Sequence, residues 1–163
     1  MRGGVRLGVD VGTVRVGLSA SDAAGLIATP VETLARDPRG LSDVARITAE
    51  VVERDVLEVV VGLPVSLSGA EGPASRSVRG YAAELARRVA PVPVRLVDER
   101  LSTVSAHQVL TASGRRGRRQ REVVDQVAAV LILQTALDAE RASGRPPGSS
   151  VDPGTAAEPP APT

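Results

Sequence analysis

The chain contains no cysteine, which excludes both a disulfide framework and a thiolate-bound metal. It has no Phe, no Trp and a single Tyr, Tyr81. A core must therefore be assembled from Val, Leu, Ile and Ala, and a single ring argues against the aromatic platforms that grip single strands. Lysine is missing as well, so every basic side chain is Arg. Arg offers a planar fork suited to phosphate, but wholesale replacement of Lys reads most simply as a codon bias of the genome. An excess of either charge is lacking too. Twenty basic residues against 19 acidic ones leave a net charge of +1, so no global field draws in a polyanion. No stretch approaches the roughly 18 uninterrupted apolar residues that span a bilayer, and the N-terminus reaches Asp10 too soon for a secretory signal. A cytoplasmic protein with no membrane partner is expected.

What is present supports one domain with a real core: 163 residues, 42% of them hydrophobic. Val5, Leu7, Val9 and Val11 alternate with Arg6, Gly8, Asp10 and Gly12, the period of a strand with one buried face. After Gly12-Thr13 the alternation resumes through Val14, Val16, Leu18 and Ala20, which predicts an antiparallel hairpin. A third strand is expected over Leu26–Leu34, with Pro30 tolerated only at an edge or bulge. Helical spacing follows from Leu41 to Val52. The apolar run Val56–Val61 reads as a strand covered on both faces. A helix from about Ser75 to Val89, a short strand Val94–Val97, a helix from Ser102 or Thr103 to Leu110 and a last helix Arg121–Ala142 complete the order. A leading hairpin followed by strands that need parallel crossovers gives an α/β fold with a mixed five-stranded sheet flanked by helices. The domain is expected to cover 1–142, with a disordered Pro/Gly/Ser-rich tail over 143–163.

Four acids sit where acids are costly. Asp10 interrupts the first apolar run, Asp98 and Glu99 end the run Val94–Val97, and Asp125 lies near the start of an otherwise apolar helix. A carboxylate beside a hydrophobic core is destabilising unless a cation or strong donors compensate it. Carboxylates converging from separate elements suit Mg²⁺ or Mn²⁺, which prefer oxygen ligands. Strand alternation sends Asp98 and Glu99 to opposite faces. Glu99 is favoured, because it follows Arg95 and Val97 while Asp98 continues the Val94/Leu96 face. Asp10, Glu99 and Asp125 are thus the candidate catalytic and metal-binding set for phosphodiester chemistry.

Four ordered blocks carry a resemblance. The first is Leu7-Gly8-Val9-Asp10-Val11-Gly12-Thr13, continuing to Arg15, Gly17 and Ser21-Asp22. The second is Val60-Val61-Gly62-Leu63-Pro64 with Gly69, Glu71, Gly72 and Pro73. The third is Asp98-Glu99-Arg100-Leu101-Ser102-Thr103, and the fourth is Asp125, Ala128, Ala129 and Leu133-Gln134. Together they resemble the YqgF/RuvX family over residues 7 to about 137. Val14 stands where that family often has Lys, and Ser66 and Ser68 stand where Asn and Asp are common. The resemblance implies a ribonuclease-H-like fold and a nuclease that matures the 5′ end of pre-16S rRNA. Some relatives are described as Holliday-junction resolvases. Structured RNA or junction DNA is the implied partner, with the protein as monomer or homodimer.

The basic run Arg115, Arg116, Arg118 and Arg119 precedes Asp125 and, with Arg15 and Arg100, forms the expected nucleic-acid-binding set. Such contacts confer salt-dependent affinity but little sequence information. Other chemistries find less support. His107 has no second His or Cys in reach, no G-x-G-x-x-G lies at a strand-to-helix turn, and Ser19, Ser21 and Ser66 have no His partner for nucleophilic catalysis. Two alternatives stay open: a non-catalytic nucleic-acid-binding module, and an actin-type phosphotransferase, which needs two such domains.

Overall fold

A computed structural model describes residues 1–66, 68–99 and 118–153, with the backbone alone over 118–123. The expected hairpin forms from β1 (Arg6–Val11) and β2 (Arg15–Ser21), in a register that sets Leu7 against Ala20 and Asp10 against Gly17. β3 (Ala28–Ala35) extends it antiparallel, and the register slips between Leu18 and Ser19, where Pro30 enters the ladder. Proline cannot donate to a neighbour, so it sits at this edge and irregularity as anticipated. α1 (Ser42–Glu53) leads to β4 (Glu58–Leu63), which lies parallel to β1. α2 (Pro73–Val89) then returns the chain to β5 (Val94–Asp98), parallel to β4. α3 (Arg118–Ser143) and β6 (Ser149–Ser150) follow. The helix expected over 102–110 lies outside the described residues.

The sheet order is β3-β2-β1-β4-β5-β6, so the mixed sheet has six strands rather than five. The sixth comes from the segment expected to be disordered. Arg95 donates to the carbonyls of Pro147 and Gly148, and the Val151 amide donates to the Val94 carbonyl over 2.8 Å. Backbone pairing to an open edge needs no apolar side chains, so composition alone did not signal it.

α1 and α2 cover one face, burying Val44, Ile47, Tyr81, Ala82 and Leu85 against Leu7, Val9, Leu18, Val59 and Val61. α3 covers the other, where Ile132, Leu133 and Leu137 meet Val60. β1 is therefore buried on both faces, not one. Among the described residues no helix is long and apolar enough to cross a membrane.

At one end of the sheet a buried charge cluster ties α3 to the strands. Arg6 (1% exposed) pairs with Glu140 (3%) at 3.3 Å, and Arg2 reaches Glu140 at 2.7 Å and Glu58 at 3.1 Å. At the opposite end, the C-terminal ends of the parallel strands β1, β4 and β5 lie side by side. Ligands of open α/β sheets bind outside such carboxyl ends.

Candidate active site

Glycines determine how close α3 comes to the sheet. A Cβ on Gly8 would lie 2.7 Å from Leu133 Cβ and 2.8 Å from the Ala129 carbonyl oxygen. A Cβ on Gly17 would collide with the carbonyl of Asp125. Asp10 follows Gly8 on the same face of β1 and opposes Gly17 across the hairpin. Asp125 precedes Ala129 by about one helical turn. The close approach of α3 to β1 and β2 beside Asp10 thus follows from the missing side chains at Gly8 and Gly17.

Glu99 arrives from the other side. Its amide donates to the Leu63 carbonyl over 3.3 Å, just beyond the Leu63/Asp98 pair of β4 and β5. A Cβ on Gly62 would lie 2.8 Å from Glu99 Oε2 and 2.5 Å from Ile132 Cδ1. Glu99 therefore turns towards the α3 side, with Val97, which packs against the α3 cluster. Asp98 is exposed. The alternation argument that preferred Glu99 agrees with this register.

The electrostatics match the crowding. Burial pushes the Asp10 carboxyl up from 3.8 to about 6, and the charge of Asp125 adds to it. Burial pushes Glu99 up from 4.5 to about 7, with Asp10 and then Asp98 contributing. No described Arg pairs with Asp10 or Glu99, whereas Asp125, 18% exposed, accepts a 2.8 Å ion pair from Arg15 Nε. As they lie, no three His, Cys, Asp or Glu side chains among the described residues are close enough together to hold a metal ion. Asp125 is engaged by Arg15 instead, at 2.8 Å. The donor set nevertheless fits a hard divalent cation. It is all oxygen and half-buried, and at two of its three members no described Arg offsets the charge.

Of the expected nucleic-acid contacts, Arg15 is engaged with Asp125. Arg118 and Arg119 begin α3, in the stretch described by backbone alone. Arg100, Arg115 and Arg116 lie outside the described residues.

One residue absent from the expected set stands beside these acids. Arg36 follows β3, and its Nη1 donates to the Gly12 carbonyl over 2.8 Å. Its guanidinium lies 5.0 Å from the centroid of the Tyr81 ring, and the Tyr81 hydroxyl donates to Asp43 Oδ2 over 3.0 Å. Arg36 lines a cleft of about 180 Å³ together with Gly12, Thr13, Pro64, Ser77 and Glu99. Only a sequence signal linking Arg36 to Gly12 and Tyr81 would have revealed it, and hydropathy carries none.

Comparison with known proteins finds similar chains. Residues 4–139 match the family model described as RuvX, Holliday junction resolvase. A candidate pre-16S rRNA nuclease of Nocardioides sp. is 58% identical over 156 residues, spanning 93% of this chain and 99% of that protein. One from Streptomyces coelicolor is 54% identical over 153 residues, spanning 93% and 90%. Among solved structures, Thermus thermophilus RuvC in complex with a Holliday junction substrate superposes with a TM-score of 0.52 at 18% identity, covering 90% of this chain and 98% of that one. That likeness concerns the fold, which is the ribonuclease-H-like one expected.

Proposed function

The chain belongs to the RuvX family, and from that premise we propose that it is a metal-dependent endonuclease of structured nucleic acid, processing the 5′ end of pre-16S rRNA. The observation that carries this reading is the pair of half-buried carboxyls, Asp10 and Glu99, raised to about 6 and about 7 with no described cation beside either. An unmet demand for positive charge of that kind marks a functional site more often than a structural one.

Asp10, Glu99 and Asp125 would hold Mg²⁺ or Mn²⁺, which supplies Lewis-acid charge stabilisation at the reacting phosphate. The chain's own groups do the rest. Asp10, fixed on a central strand, sets the position of the site. Glu99, whose Oε2 lies beside Gly62, would complete the ligand set from the end of β5. Arg15 has two anionic partners to choose between, Asp125 and a substrate phosphate, and transfer to the phosphate would release Asp125 to the cation. The basic run Arg115, Arg116, Arg118 and Arg119, with Arg100, would track the duplex backbone, as a chain poor in aromatics must read shape rather than stack on bases.

The family description favours a second substrate, junction DNA. Symmetric junction cutting requires two active sites and hence a homodimer. Side-by-side cleavage of precursor 16S rRNA and a four-way DNA junction, with and without Mg²⁺, decides between them. Metal-dependent cutting confined to the RNA by the native chain, and none by Asp10→Asn, is expected. Cutting confined to the junction would replace the substrate, and undiminished cutting by Asp10→Asn would remove the carboxylate site.

A further inference from the structure

We propose that Arg36, with the hydroxyls of Thr13 and Ser77, forms a subsite for a backbone phosphate of the substrate beside the one held at the carboxylates. The inference rests on the nuclease reading and adds a binding group to it. Arg2, Arg6, Arg15, Arg46, Arg54 and Arg79 each pair with a carboxylate. Arg36 forms no ion pair with any described carboxylate, although it is half-buried and its Nε has no hydrogen-bond partner. A half-buried guanidinium with no carboxylate partner among the described residues favours an anion.

The surroundings fix where that anion would sit. The Tyr81 face and the Gly12 carbonyl hold the guanidinium plane, so little side-chain freedom remains to be lost on binding. The Gly12 contact uses one of five N–H donors, which leaves a fork for phosphate oxygens. Thr13 and Ser77 are exposed and line the same cleft. Their hydroxyls donate without adding charge. α2 begins at Pro73 and lines this wall from Ala74, and the positive end of its dipole favours an anion there. Among the described residues the only acidic lining residue is Glu99, whose charge a cation at the neighbouring site would offset. Gly12 lies two residues beyond Asp10, so one strand of a substrate reaches both places.

The alternative is a purely structural strut that braces the Gly12 turn. Binding separates the two. A labelled RNA hairpin carrying the 5′ stem of precursor 16S rRNA is titrated against metal-free protein at several salt concentrations, with Tm recorded for each variant. Arg36→Gln is expected to bind about tenfold more weakly, with the log–log salt slope reduced by about one. Arg36→Lys should keep the slope while losing affinity severalfold, as it retains the charge but not the fork. The double variant Thr13→Ala/Ser77→Ala should lose affinity severalfold at unchanged slope and unchanged Tm. Native affinity and slope in Arg36→Gln would overturn the subsite and leave the nuclease reading standing if the native chain still cuts RNA. If Arg36→Gln does not fold, native affinity in the Thr13/Ser77 variant overturns it instead. A native chain that binds neither the hairpin nor a four-way junction would bring down both.

Discussion

Asp10 is held at a cost to the metal-free protein, and that cost is measurable. Its folded pKa of about 6 lies above the ordinary 3.8, so the protonated form is favoured on folding. The associated stability is fully present below about pH 4 and is lost as pH rises through 6. Asp10→Asn should therefore raise the metal-free Tm at pH 8, by an equivalent on the order of 2–3 kcal/mol, with no gain at pH 4. A thermal melt series across that range checks it, and added Mg²⁺ should reverse the ranking at pH 8. Arg15 supplies a second test at this scale. Its ion pair with Asp125 at 2.8 Å competes with any cation for the same carboxylate. Arg15→Gln should bind Mn²⁺ several times more tightly in calorimetry without nucleic acid, and an equal or weaker affinity would show that the pair does not restrain Asp125.

At the level of elements, α3 matters more for where it lies than for its length. Gly17→Ala forces a methyl against the Asp125 carbonyl, and backbone cannot step aside as a flexible side chain would. The expected result is a loss of about 1–3 kcal/mol and a fall in cleavage larger than that loss explains, read from Tm and kcat together. Much of this layer was legible in the sequence. The alternation of Val5 to Val11 placed Asp10 opposite the Leu7/Val9 face, and the same rule separated Glu99 from Asp98. What escaped was whatever depends on a neighbour far along the chain. Arg6, read as the solvent side of a half-buried strand, is buried because Glu140 meets it from α3. Arg36 has no pattern around it, and its partners are a carbonyl and the ring of Tyr81. β6 carries two serines and docks through its backbone, which hydropathy cannot register.

At the scale of the molecule, two fastenings hold the sheet's ends. The Arg6–Glu140 pair is almost fully enclosed, so Glu140→Ala leaves a buried guanidinium with less compensation and should cost about 3–5 kcal/mol, measurable by urea unfolding. β6 covers the free edge of β5 from Arg95 to Leu96. Ending the chain after Ser143 should lower Tm and promote concentration-dependent association through the uncovered strand, seen as earlier elution in size exclusion. An unchanged profile would mean that the edge is protected by other means.

The bare positions under α3 also set a mutational expectation. Gly8, Gly17 and Gly62 bear no functional group, yet each occupies space that a single methyl would take from a helix or a carboxylate. A saturation library scored for cleavage should find these three as intolerant as the acids themselves, because in this molecule vacancy is what lets like charges be neighbours.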